Sequence, residues 1–178
     1  MPLFMTQYKH TSPSSMVEIA IICISKDNSQ GRIDTYRSVA AHYNRAFLCG
    51  LSLVFISIEH GQTGLQMLLD PKEVIVPIVE INGQDSGIYN AMNIGIAHCK
   101  SDYIVFLNAG DIMSPFLEPE LLIRDLLDAS DTYSPIIAAD WRTRRGDKHM
   151  RMFRCFSFWY LLTPLPLISH QSLIYRSS

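Results

Sequence analysis

Polar side chains able to hold a cation, a hydroxyl group or a phosphate stand at the ends of apolar runs throughout this 178-residue chain. Asp27 and Asn28 follow residues 17–24, Glu59 and His60 follow 51–58, Asn108 and Asp111 follow 103–107, and Asp140 follows 136–139. Carboxylates suit Mg2+ or Mn2+, and side-chain amides exchange hydrogen bonds with hydroxyl groups. Asp85 precedes Ile88, Ala91, Met92, Gly95, Ile96 and Cys99, which recur at helical spacing, so Asp85 reads as the N-cap. Gly87 lets a ligand approach the backbone there, and a helix N-terminus favours phosphate oxygens. Plain capping with a buried Tyr89 is the alternative for this segment. Taken alone, Asp111 reads as an N-cap or turn aspartate.

Such residues need a scaffold that brings strand ends together. Residues 17–24 (VEIAIICI) and 51–58 (LSLVFISI) are β-branched, apolar runs that predict strands, as does 103–107 (YIVFL). Residues 74–79 predict a third strand that Pro77 confines to a sheet edge or a bulge, and 136–139 a fifth. Glu59 to Gly64 reads as a turn. Between the strands, Ile33, Tyr36, Val39, Ala40 and Tyr43 predict one helix, and residues 119–129 another with Leu122, Leu126 and Leu127 inward. Strands alternating with helices specify an α/β layered fold with a mainly parallel central sheet, whose ligands bind beyond the carboxyl ends of the strands.

Composition narrows the function classes. With 48% hydrophobic and 18% charged residues the chain is a globular domain, and its net charge of -2 offers no general field for nucleic acid. The four cysteines form no C-x-x-C or Cys/His cluster, which argues against structural zinc. Cys23 and Cys99 read as buried free thiols, fitting a reducing, cytosolic setting. Residues 1–16 are polar, lack the apolar stretch of a signal peptide, and read as a flexible leader. The apolar stretch 156–168 is thirteen residues long and broken by Pro164 and Pro166, too short to span a bilayer. Between Arg142 and Arg154 stand six Lys/Arg and one Asp, followed by FSFWY. That stretch reads as a solvated basic loop or as a patch facing phosphate or an anionic membrane surface.

One block is more specific than any of these patterns. D-S-G-I-Y-N-A-M-N-I-G-I at 85–96, followed by S-D-Y-I-V-F-L-N-A-G-D at 101–111, resembles the signature of inverting family 2 glycosyltransferases of the GT-A fold. The similarity is to bacterial enzymes of exopolysaccharide and colanic-acid-type assembly, whose pattern runs D-x-G-I-Y-D-A-M-N-K-G-I and G-D-Y-I-x-F-L-N-S-G-D. The chain departs from it at Asn90, Ile94 and Ser101. Asn28 keeps the place of the Asn in T-x-x-Y-N, Lys26 is unusual there, and Thr35 and Ser38 match the T-x-x-S that follows. Residues 166–175 resemble the P-x-x-H-Q-x-x-F segment, and Asp140 the acid of t-G-D.

The resemblance implies a Rossmann-like three-layer sandwich and transfer of a sugar from a nucleotide-diphosphate-sugar to a saccharide or lipid-linked acceptor. It implies Mg2+ or Mn2+ on Asp111, and donor contacts from Asn28, Glu59, Asp85, Gly87, Asn93, Asn108 and Gln171. Glu59 takes the place of an Asp that reads the nucleobase or ribose, although a gapless pairing puts Ser57 there instead. His170 is placed near the donor phosphates or the acceptor. Residues 17–140 then form the nucleotide-sugar-binding core, and 141–178 begin an acceptor-side region. By the same comparison, the Asp that serves the family as general base has no counterpart before Ser178. The alternative expectation is accordingly a non-catalytic, nucleotide-binding module. A dinucleotide-binding Rossmann domain is disfavoured because no G-x-G-x-x-G follows the first strand.

Overall fold

The structure, a computed structural model, describes residues 16–60, 64–83, 87–115, 117–130, 136–138 and 173–177, with the backbone alone at 60, 128–130 and 136–138. The elements in chain order are β1 (Val17–Lys26), α1 (Ser29–Leu48), β2 (Leu51–His60), α2 (Leu65–Leu68), a 3-10 turn (Pro71–Glu73), β3 (Ile78–Asn82), α3 (Ile88–His98), β4 (Tyr103–Asn108), α4 (Pro119–Ser130), β5 (Ile136–Ala138) and β6 (Leu173–Arg176). Among the described residues they form one six-stranded sheet in the order β3-β2-β1-β4-β6-β5. The first four strands in that order are parallel, and β6 lies antiparallel to both β4 and β5.

The continuous apolar run of β1 follows from its central place, because a parallel strand with helices on both faces has no solvent side. Ile19, Ile21 and Cys23 point to a core shared with Tyr36, Val39 and Leu126. Ala20, Ile22 and Ile24 point to the other face, where Ala91 of α3 packs. Three layers result, with α1, α2 and α4 on one side and α3 on the other. Cys23 sits at zero exposure, and burial pushes its thiol up to about 12. Cys49 and Cys99 are half-buried free thiols. No helix among the described residues is long and apolar enough to cross a membrane.

Several expected boundaries move. The third strand is Ile78–Asn82, and residues 71–76 form a 3-10 turn and its exit. Tyr36 explains the shift: its hydroxyl accepts from Val76 N at 3.0 Å and donates to Val76 O at 3.1 Å, so those groups are taken from any ladder. Pro77 comes just before β3, which among the described residues is an edge strand. Glu59 and His60 are the last residues of β2, paired with Ser25 and Lys26, instead of a turn. A sixth strand, β6, lies between β4 and β5, and its Ile174 and Tyr175 pack into opposite cores. On α4, Leu126 is buried and Leu122 packs against the core, but Leu127 is 48% exposed.

The α3 stripe is narrower than its periodicity suggested. Ala91 and Gly95 are buried and Met92 and Cys99 pack inward, whereas Ile88 and Ile96 are exposed. Gly95 sets the helix against the sheet: a Cβ there would lie 2.6 Å from Ile22 Cγ2 and 2.8 Å from Ile58 Cδ1. Both methyl groups belong to buried β-branched side chains with little rotamer freedom. Gly95→Ala is therefore expected to cost about 1–3 kcal/mol through overpacking. Urea denaturation checks this, and an unchanged midpoint would show that α3 can lift off the sheet.

Candidate functional site

Strand order determines where the site falls. From β1 the chain winds outward to β2 and β3 with its helices on one face. It then returns through α3, on the other face, to β4 on the far side of β1. The carboxyl ends of β1 and β4 thus flank a topological switch point, the crevice where open α/β sheets bind ligands. A cleft of about 380 Å³ lies there, lined among others by Lys26, Asn28, Gly87, Ile88 and Asn108. A second, of about 450 Å³, lies along the start of α1 beside Gly110 and shares Asn28.

Gly87 is the N-cap of α3, with φ 121° and ψ 172° and no side-chain cap bond. Only glycine adopts that conformation cheaply, which is the local reason for its position. The expected cap, Asp85, lies outside the described residues, as do Asp140, His170, Gln171 and the basic stretch 142–154. Tyr89, buried in the plain-capping alternative, is 79% exposed. Asn93 is exposed on the same helix.

The loop after β4 is closed and then braced. Asn108 N donates to Asp111 Oδ2 at 2.7 Å, and Asp111 N donates to Asn108 O at 2.9 Å, so the carboxylate is held at the strand end. A polar stripe of α1 and its cap carries the rest. Asn28 accepts from Gly31 N at 2.9 Å, capping the helix, and its amide donates to Ala109 O at 3.2 Å. Thr35 Oγ1 accepts from Gly110 N at 2.9 Å and donates to Asn108 O at 3.3 Å. Ser38 Oγ accepts from Met113 N at 3.0 Å. His42 meets the Ser114 backbone, and burial holds its imidazole below the usual histidine range. Asn28, Gly31, Thr35, Ser38 and His42 follow one another at alternating steps of three and four positions, the spacing of one helix face.

Thr35 and Ser38 were visible in the sequence only as part of a motif; this stripe is their physical role. Their signal was a polar line at helical spacing next to the apolar line of Tyr36 and Val39. Because Thr35 is fully buried, Thr35→Val removes both of its bonds at nearly unchanged volume, leaving Asn108 O only the Asp111 N–H and Gly110 N only Gly31 O. Stability should fall by about 1–2 kcal/mol in thermal melts. A neutral result would mean that water takes over both bonds.

Glu59 is engaged elsewhere. Its Oε2 lies 2.7 Å from Arg32 Nε, an ion pair without an aligned hydrogen bond between those two atoms. Its Oε1 accepts from Asp27 N at 3.2 Å. Arg32 is 1% exposed, and nothing in the sequence pattern singled it out. Of the expected site residues, then, Asn28, Gly87 and Asn108 line one cleft and Asp111 closes the loop beside it. Glu59 stands behind the loop that walls the cleft.

Among the described residues no three His, Cys, Asp or Glu side chains cluster as a metal cage. A single carboxylate at the strand end still fits the way Mg2+ is held beside nucleotides, by one or two carboxylates with phosphate oxygens and water completing the shell.

A mainly parallel α/β sandwich with a polar cleft at its switch point defines an open α/β fold whose ligands bind beyond the strand ends. The sequence profile described as "Glycosyl transferase family 2" matches residues 74–172, more than half of the chain, and the chain belongs to that family. No curated protein sequence matches it. Solved structures share the GT-A fold at low identity. Staphylococcus aureus TarS is 10% identical with a TM-score of 0.58, over 90% of this chain and 28% of that one. TarS 1-349 in complex with UDP-GlcNAc is 11% identical with a TM-score of 0.57, over 90% and 46%. The mannosyltransferase PcManGT from Pyrobaculum calidifontis, in complex with GDP-Man and Mn2+, is 11% identical with a TM-score of 0.56, over 92% and 46%. The chain therefore spans less than half the length of these structures.

Proposed function

We propose that the cleft between β1 and β4 binds a nucleotide-diphosphate-sugar, and that the sugar passes with inversion to a saccharide or lipid-linked acceptor in bacterial polysaccharide assembly. The observation that carries this reading is the convergence of Asn28, Asn108 and the Gly87 N-terminus of α3 on one crevice, with the Asp111 carboxylate fastened beside it. The Asn108 amide suits a ribose hydroxyl, and the first turn of α3 suits phosphate oxygens. Asp111 is the residue that would hold Mg2+ or Mn2+, and a cation bound there supplies neutralisation of the charge on the departing diphosphate. The resemblance in the 85–111 block adds Asp85 and Asn93 to the donor contacts. Gln171 joins them, with His170 beside the phosphates or the acceptor. The matched structures are in keeping with this, since one holds UDP-GlcNAc and another GDP-Man with Mn2+. The setting proposed is the cytoplasm, with the basic–aromatic stretch 142–160 against the anionic inner face of the membrane.

Calorimetry of the purified chain with UDP and GDP, with and without Mn2+, tests the reading. Metal-dependent binding of one nucleotide is expected, and binding of neither with Mn2+ present sinks it. A second reading, binding without transfer, draws on the capture of the Glu59 carboxylate by Arg32. Release of free sugar from a donor in the presence of Mn2+ separates the two, because hydrolysis requires a competent donor site but no acceptor.

A further inference from the structure

The loop from Lys26 to Asn28 forms one wall of the β1/β4 cleft, with Lys26 and Asn28 both lining it. Its middle residue, Asp27, has φ 52°, the left-handed region that non-glycine residues enter at a cost. Asn28 is tied to Gly31 N and Ala109 O on one side of it, and Asp27 itself is held by its N–H, which donates to Glu59 Oε1 at 3.2 Å. Glu59 sits at the end of β2 in register with Ser25, and Arg32 reaches its other oxygen from the first turns of α1. The side chains of Arg32 and Glu59 are 2% and 12% exposed.

A buried ion pair is a weak source of stability, because desolvation of both charges offsets most of their attraction. Two apolar side chains of similar volume would pack this position at least as well. What they could not provide is an acceptor for the Asp27 N–H. We infer that Glu59, oriented by Arg32, is a positioning residue that holds the 26–28 wall in its left-handed turn, and that it does not read the nucleobase. This rests on the nucleotide-binding reading above for its functional consequence, though the loop geometry is its own. Arg32 thereby becomes a determinant of donor affinity without touching the donor.

The experiment compares the intact protein with the Arg32→Met/Glu59→Leu and Arg32→Met/Glu59→Gln variants. The first removes both charges and the acceptor, while the second restores a neutral acceptor for Asp27. Amide exchange at Asp27 in the ligand-free protein is read first, then affinity for UDP and GDP in Mn2+. In the Leu variant, Asp27 exchange should rise by about tenfold or more as local opening becomes easier. Both affinities should fall by a common factor of roughly five or more, with the UDP-to-GDP ratio kept within about twofold, as preorganisation of the wall is lost. The Gln variant should recover most of the Asp27 protection and most of the affinity, which a purely structural charge pair would not.

Unchanged Asp27 exchange in the Leu variant would overturn the inference. A change in the UDP-to-GDP ratio would also overturn it, since that is the mark of a side chain touching the base. If the unmodified protein binds neither nucleotide, the proposed function fails, and Asp27 exchange still decides the positioning role.

Discussion

Arg32→Ala is expected to lower the unfolding free energy by about 3–5 kcal/mol, the usual consequence of removing one partner from a buried ion pair. The arginine lies at 1% exposure and Glu59 at 9%, so the variant leaves a carboxylate buried opposite an emptied volume. Natural domains are stable by only about 5–15 kcal/mol, so a loss of this size takes a large share of the whole. Chemical denaturation read by circular dichroism gives the number directly. Glu59→Ala should cost a comparable amount, and Arg32→Ala/Glu59→Ala less than the sum, because the second truncation removes the charge that the first stranded. A loss below about 1 kcal/mol for Arg32→Ala would mean that water reaches Glu59 and that the pair behaves like a surface bridge.

Asp111→Asn should abolish the metal-dependent part of nucleotide binding while leaving the fold nearly untouched. The variant keeps an oxygen that can accept from Asn108 N, the 2.7 Å bond that closes the loop after β4, but it loses the charge. Loss of a charged ligand worth about 2 kcal/mol corresponds to roughly 30-fold in affinity. Titration of UDP or GDP in Mn2+ and again in a chelator isolates this effect. The expected result is a 30-fold or greater weakening in Mn2+ and no further weakening in chelator, with melting temperature unchanged. An equal loss in both buffers would assign Asp111 to the loop alone. Because no three-ligand cage exists among the described residues, Mn2+ without nucleotide should bind weakly to the unmodified protein as well.

Much of the candidate site's placement at strand ends was legible from local pattern. Asn28, Asn108 and Asp111 were marked by their places directly after apolar runs, and strand ends are where α/β sheets keep their ligands. The block at 85–111 pointed to the family that the profile match over 74–172 then showed. Glu59 illustrates the opposite. Its position at the end of β2 suggested a donor contact, but its partner Arg32 lies 27 positions earlier on a helix, and no periodicity connects the two. Strand three was displaced for a similar reason: Val76 looks like part of an apolar strand until the Tyr36 hydroxyl takes both its backbone groups.

The sequence by itself determined the layered α/β class, the strands β1, β2 and β4, and the strand ends that carry polar groups. Those features follow from nearest neighbours along the chain: β-branched runs require two covered faces, and the breaks between them are polar. Only the tertiary structure decided the order of the strands, the entry of β6 between β4 and β5, and the brace of Asn28, Thr35 and Ser38 under the 108–113 loop. It also decided that Glu59 belongs to Arg32 and Asp27. Hydrogen bonds and ion pairs of that kind join residues that are tens of positions apart. A residue's type states that it needs a partner when buried, but only packing states which one it meets.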